Sequence, residues 1–251
     1  MTCAIVTGAS SGIGAATALA LAAREISVVA TARRPERLRS HDRFEETTDR
    51  LDLIPADMTK PDDIEAVFAH AEDAHGGVRH VAHSVGFEYR VGWYRDATAD
   101  EIAGAVAALF TSPALVLNRA IQSMRASGGT IGLVSSGAAN RPTPGRALYS
   151  SAKIAMLRLV QSVAAECESE GGNTGVFAIL PGRVDTPGQR RLMAAAQDAD
   201  RAFRLERFKS DDDVFPAEAV GEAFADLFLR PADELNGLVL RYQPDGWTTE
   251  P

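Results

Sequence analysis

Residues 7–14 read Thr7-Gly8-Ala9-Ser10-Ser11-Gly12-Ile13-Gly14. Before them stands Thr2-Cys3-Ala4-Ile5-Val6, a short apolar run with the composition of a buried strand. After them, residues 15–23 are alanine, leucine and threonine, which suit a buried helix. Strand, glycine turn and helix follow in the order that a dinucleotide site requires. Gly8, Gly12 and Gly14 permit a tight turn and close approach of the backbone to a pyrophosphate. The free amides at the helix start, from Ile13 onward, then face the anion with the helix dipole behind them. Ser10 and Ser11 add hydroxyl donors. The spacing is G-x-x-x-G-x-G, and a plain strand-to-helix turn explains a glycine loop of this kind equally well when it is read alone.

A second constellation lies far downstream. Tyr149 and Lys153 are four residues apart, so on a helix they share one face, and Ser136 stands thirteen residues before the tyrosine. A free phenol ionises near pH ~10 and carries protons poorly at neutrality. A cation beside it favours the phenolate, and a nearby serine hydroxyl can donate to a carbonyl oxygen as charge develops there. Gly129-Thr130-Ile131-Gly132-Leu133-Val134 reads as a strand ending at Ser135-Ser136. The spacing to Tyr149 selects Ser136 and leaves Ser135 as a turn residue.

With both motifs in this order, the chain resembles the classical short-chain dehydrogenase/reductase family, from Ile5 to about Asp245. The resemblance implies a Rossmann-type α/β fold, a doubly wound parallel seven-stranded sheet with helices on both faces in a single domain spanning 1–251. Apolar runs at 3–6, 27–31, 51–55, 80–83, 129–134, 175–180 and 238–241 supply the seven strands. Helical stretches at 13–23, 61–75, 99–127, 147–170 and 216–230 alternate with them. Residues 187–215 break the alternation and read as a charged insertion, either a substrate cover or a solvated helix.

The resemblance also assigns roles. Ser136, Tyr149 and Lys153 become the catalytic set of an NADPH-dependent carbonyl reductase, reversible with a secondary alcohol, with Tyr149 and Lys153 also against the cofactor. Leu180-Pro181-Gly182-Arg183-Val184-Asp185-Thr186-Pro187 matches the segment that holds the nicotinamide carboxamide, through Pro181, Gly182, Val184 and Thr186. Asp57 and Met58 match the position that meets the adenine, where a helix-capping aspartate is the competing explanation. Enzymes preferring NAD place an acid at the end of the second strand. Here Ala32 takes that place and Arg33-Arg34 follow, which favours NADP(H) over NAD(H) through a guanidinium grip on a 2′-phosphate. Plain surface charge is the alternative for both arginines.

Two departures stand out. The usual Asn-Asn-Ala-Gly after the fourth strand is His83-Ser84-Val85-Gly86, which keeps Gly86 and a small polar Ser84 for the cofactor and makes His83 a hydrogen-bonding substitute. His-Ser-x-Gly-Phe is similar to the related enoyl reductases, whose tyrosine and lysine are spaced differently. The asparagine usual in the following helix is missing, and Leu109 stands at its place. That puts the proton relay in doubt and leaves a competing reading, a nucleotide-binding regulatory or scaffold protein with little turnover. The stretch 183–208 also shows a loose likeness to sepiapterin and benzil reductase-like members.

Composition bounds the rest. The 251 residues carry a net charge of -8, which argues against a nucleic-acid surface. Two cysteines in separate elements read as free thiols, no metal site is expected, and no signal peptide precedes the first strand. Ser112-Pro113 and charges interrupt every apolar run, so no membrane span is expected and a cytoplasmic setting follows. Phe87, Tyr89, Trp93 and Tyr94 point to an apolar substrate or, equally, to packing between helices or subunits. The resemblance implies a homodimer or homotetramer through the helices at 99–127 and 147–170, whose alanine-rich faces permit it.

Overall fold

The computed structural model describes residues 3–86, 91–203 and 214–250, with side chains at 196–203 left out. The apolar runs pair as parallel strands because βα connections carry each strand back to the same sheet end. Strands β1 (Cys3–Thr7), β2 (Ser27–Ala32), β3 (Leu51–Pro55), β4 (His80–His83), β5 (Gly129–Val134) and β6 (Thr174–Leu180) are joined later by β9 (Val239–Gln243) and β10 (Gly246–Thr249). Their order is β10-β9-β6-β5-β4-β1-β2-β3, with all pairs parallel except β9 with β10.

The sheet therefore has eight strands, one more than the sequence reading. The extra strand forms because Pro244-Asp245-Gly246 turns the chain straight back, with Gly246 at φ 122°. A separate two-stranded piece, β7 (Arg183–Asp185) with β8 (Val214–Pro216), was not expected either.

Helices cover both faces. On one lie α2 (Pro61–His75), α4 (Ser112–Met124) and α5 (Ala147–Ser169), packed with Ile5, Val29 and Ile131. On the other lie α1 (Gly12–Ala23) and α7 (Ala217–Leu227), packed with Val6, Val28 and Phe177. Helix α1 is buried nearly all round, as its alanine-rich sequence requires. It fits against α7 because Gly221 has no side chain: a Cβ there would overlap that of Ala16 and lie 2.7 Å from the Ala16 carbonyl carbon. Gly221→Ala is expected to lower stability by about 2 kcal/mol, although alanine favours helix by about 1 kcal/mol. Urea denaturation reads this directly, and a more stable variant would contradict the close packing.

The expectation that Ser112-Pro113 interrupts the apolar run 99–124 is corrected. Helix α3 (Ala99–Val106), a π turn (Ala107–Thr111) and α4 form one 26-residue helical rod, long and apolar enough by length and composition to cross a membrane. Pro113 does not break it because proline is tolerated in the first turn of α4 and the π turn precedes it. The face carrying Val116, Leu117, Ala120 and Met124 is buried against the sheet. Cys3 and Cys167 are free and buried, as read from the sequence.

The strand order reverses between the parallel neighbours β1 and β4, which is where an open α/β sheet binds ligands. Thr7 and His83 end these two strands, and their Oγ1 and Nδ1 atoms are hydrogen-bonded at 2.9 Å. Helices α6 (Pro187–Phe203) and α8 (Ala232–Leu235) complete the described elements.

Candidate active site

A cleft of about 1030 Å³ opens at the carboxyl ends of these strands. At its floor, Gly8 and Gly12 have φ of 71° and 59°, a conformation that glycine adopts without strain. A Cβ on Gly8 would lie 2.6 Å from the Ser84 carbonyl oxygen, and one on Gly12 would lie 2.8 Å from Thr186 Cγ2. The first residue of α1 is preceded by Ser11, whose side chain makes no cap hydrogen bond. The amides of that first turn are thus left to an external anion. Gly14 is the one predicted cofactor residue that does not line the cleft. Its place is packing, since a Cβ there would overlap the Gly8 carbonyl oxygen.

Ser10, Ser11, Ile13, Arg33, Arg34, Asp57, Met58, Ser84, Gly86, Pro181, Gly182, Val184 and Thr186 line the same cleft, as do Ser136, Tyr149 and Lys153. The sequence cluster Arg33-Arg34-Pro35-Glu36-Arg37 with Arg39 suggests a small anionic group; Arg37 lines the cleft with Arg33 and Arg34, and so do Ser40 and His41. Arg39 faces elsewhere, its guanidinium 5.4 Å from the Phe44 ring centroid. Asp57 Oδ1 accepts from both the Thr59 amide and hydroxyl, at 3.0 and 2.8 Å. Burial alone would raise the Asp57 pKa; these bonds, with Arg33 and Lys60 nearby, outweigh it and hold the carboxyl below its ordinary value. Asp57 thus closes a local turn on Thr59 and does not cap α2, which starts at Pro61 after Lys60 without a side-chain cap, and the residue lines the cleft.

Strand β5 delivers Ser136 and helix α5 delivers Tyr149 and Lys153. Ser136 Oγ accepts from the Ala138 amide at 3.2 Å, which leaves its own hydrogen for another acceptor. Ser135 Oγ is buried without a hydrogen-bond partner among the described residues. Lys153 is 3 % exposed, its Nζ donates to the Val134 carbonyl at 2.9 Å, and it lies 5.7 Å from the Tyr149 ring centroid. Burial pushes its pKa down from 10.5 to about 8.

The sequence offers Arg146 either as a substrate contact or as a solvent-exposed charge. It is buried, with its guanidinium carbon 4.7 Å from the Tyr149 ring centroid. Nothing in the linear pattern signals this, because Arg146 precedes α5 and its chain must fold back over the helix start. Asp185, which by sequence suits a turn, ends β7 and makes a forked ion pair with Arg190 at 2.7 and 2.8 Å on the cleft rim. Trp93 and Tyr94 are exposed and do not line the cleft, and Phe87 and Tyr89 lie outside the described residues.

His83 is fully buried, and burial followed by the Lys153 charge pushes its pKa down to about 3, so its ring is neutral. Leu109 lies in the π turn, its Cδ2 2.8 Å from where a Cβ on Gly86 would stand. The Ser112 amide bonds to the Ala107 carbonyl, and Pro113 has no N–H, so the Ala108 carbonyl loses both of its helical donors. That oxygen would be 3.7 Å, and Lys153 Nζ 4.0 Å, from a Cβ placed on Gly86.

Burying an ammonium has a stability consequence. A folded-state pKa of about 8 against 10.5 means that the unfolded chain holds more protons between those values, so Lys153 costs most below pH 8 and its cost fades as pH rises to 10.5. At pH 7 that cost is about 3 kcal/mol, and losing the Val134 bond would return about 1 kcal/mol of it. Lys153→Met is therefore expected to stabilise the unliganded protein by about 2 kcal/mol at pH 7, with the gain shrinking at alkaline pH. Denaturation at several pH values tests this; a variant less stable at pH 7 than the parent would contradict it.

The model of the family described as short chain dehydrogenase matches residues 2–197. The chain is a short-chain dehydrogenase. Among its relatives, an uncharacterized oxidoreductase of Staphylococcus haemolyticus is 31% identical over 196 residues, covering 75% of this chain and 80% of that protein. A 3beta-hydroxysteroid dehydrogenase of Mediterraneibacter gnavus is 29% identical over 191 residues, covering 76% and 68%. The crystal structure of the KRED1-Pglu enzyme superposes with a TM-score of 0.79 at 25% identity, covering 95% of this chain and 100% of that one. This short-chain dehydrogenase is accordingly an NAD(P)-dependent oxidoreductase acting on hydroxyl or carbonyl groups. The glycine cradle and uncapped first turn of α1 fit such a dinucleotide.

Proposed function

We propose that this protein is an NADPH-dependent carbonyl reductase, reversible with a secondary alcohol, in which Ser136, Tyr149 and Lys153 carry the chemistry. When bound, the nicotinamide supplies the hydride that reduces the carbonyl carbon. Tyr149 delivers the proton to the carbonyl oxygen, and Ser136 donates a hydrogen bond to the same oxygen as charge grows on it. Lys153 lies against the Tyr149 ring and contacts the nicotinamide ribose. The observation that carries this reading is the buried ammonium 5.7 Å from the Tyr149 ring at the cleft where the dinucleotide cradle ends.

The free hydroxyl hydrogen of Ser136 supports its role, as does the seating of Val134, Ser135 and Ser136 on the cleft wall. Arg33 and Arg34 beside the small Ala32 support the NADP preference. The relative named for a 3beta-hydroxysteroid supports an apolar alcohol or its ketone as substrate class. In place of the missing asparagine, a water held by the Ala108 carbonyl would resupply protons to Lys153; a crystal structure with a dry contact there would remove this relay. Helix α6, whose first residues line the cleft, would cover the substrate; the rest of the predicted insertion, 204–213, lies outside the described residues. Val106 and Ile154, both more than two-fifths exposed on α3 and α5, support pairing into a dimer or tetramer. Light scattering that returned a monomer would remove that part.

The reaction itself is tested by following NADPH absorbance with a panel of ketones, diketones and steroid ketones. Turnover of at least one class is expected. Loss of NADPH at the buffer rate across the whole panel would leave only a nucleotide-binding protein.

A further inference from the structure

Strand β3 places an acid where the alternation calls for an apolar residue. Its neighbours Leu51 and Leu53 pack with the core on the α1 side, so Asp52 points to the opposite face, under α2. A carboxylate at that depth needs partners. Two histidines of α2 supply them: His70 Nε2 and His75 Nε2 both lie 2.8 Å from the same oxygen, Asp52 Oδ2. The rings meet edge-on, with centroids 6.4 Å apart and planes at 77°, so their Nε2 atoms approach one point from two directions. All three ligand atoms lie within 4.8 Å of one another, and the three residues are only partly buried, which leaves a route in from solvent.

We propose that Asp52, His70 and His75 form a site for a divalent first-row transition metal of the zinc, cobalt or nickel type, outside the oxidoreductase cleft. Two imidazoles and one carboxylate are the donor set that such ions select over magnesium or calcium, which take oxygen ligands. Bond lengths of about 2.0–2.2 Å to three ligands at tetrahedral angles place the donors about 3.3 Å apart. The 2.8 Å spacings found here need to open by only about half an ångström, within the reach of two partly exposed side chains. Each Nε2 is deprotonated on binding, its proton passing to solvent and the ring keeping its proton on Nδ1, so that the two freed lone pairs go to the metal and water completes the coordination. His75 is the last residue of α2 and Asp52 sits on the edge strand, so the ion clamps the helix end to the sheet edge.

The test uses the full chain without an affinity tag, stripped with chelator and titrated with Co²⁺ alone, followed by visible ligand-field absorption and then by displacement with Zn²⁺. One equivalent per chain is expected, with the thermal midpoint raised by the metal. His70→Ala, His75→Ala and Asp52→Asn are each expected to weaken binding at least tenfold, while His41→Ala leaves it unchanged. A measurement on the parent chain guards against variants that fail to fold: of the five histidine ring signals in the proton NMR spectrum, Zn²⁺ should move two. Absence of saturable Co²⁺ binding, or binding that survives both histidine substitutions, or shifts confined to other histidines, would overturn the proposal.

Discussion

Tyr149→Phe is expected to lower kcat/KM for ketone reduction about a thousandfold while leaving the affinity for NADPH within about twofold. The substitution removes one oxygen and keeps the ring, so the packing against Arg146 and Lys153 survives, and both cations still flank an aromatic face. What is lost is the proton at the position where charge develops on the substrate. Steady-state kinetics and a fluorescence titration of NADPH separate the two effects. A variant that turned over at the parent rate would show that another group on the cleft wall, such as Lys153 or Ser136, gives the proton.

The second large effect is on cofactor choice. Arg33→Ala is expected to weaken NADPH about thirtyfold, corresponding to about 2 kcal/mol for a charge-assisted bond to phosphate, and to change NADH less than threefold. Arg33 lies at the end of β2 on the cleft, close enough to lower the pKa of Asp57 by its charge. Arg34 and Arg37 line the same wall and keep some attraction for phosphate, which is why the loss is not larger. Equal weakening of both cofactors would contradict a role at the 2′-phosphate and point to the shared pyrophosphate instead. Raised salt should reduce the difference, because these arginines are exposed.

Much of this architecture was legible in the residues because the signals are local. The glycine spacing at 8, 12 and 14 fixes a turn and a helix start, and Tyr149 and Lys153 share a helix face by count alone. Strands β3, β4 and β5 have the limits that their apolar runs predicted. What escaped was set by contacts between distant segments. The π turn at Ala107–Thr111 carries Leu109 and the Ala108 carbonyl up to Gly86, some twenty residues earlier, and no short window contains both. Burial of Arg146 is a short-range exception, since it lies over the ring of Tyr149 three residues on, at the start of α5. Asp52, His70 and His75 converge only once α2 lies across β3. The hairpin to β10 is different: Pro244-Asp245-Gly246 is a turn signal visible in the sequence, and reading it would have given the eighth strand.

Gly14 marks the limit of reading motifs as sites. It belongs to the loop pattern as firmly as Gly8 and Gly12, yet it serves contact between α1 and the loop backbone, away from the cleft. His83 shows the converse. Its neutral ring ties the ends of β1 and β4 together at the crevice, so a histidine beside a buried lysine holds the scaffold without exchanging protons near neutral pH.

The claim on which the account rests is that the Tyr149 phenol meets the reacting oxygen. A crystal structure of the ternary complex with NADPH and a slowly reduced ketone measures it directly. The account predicts the carbonyl oxygen within about 2.6–3.2 Å of both Tyr149 Oη and Ser136 Oγ. A carbonyl oxygen bonded to other side chains, with the phenol turned from it, would contradict the account.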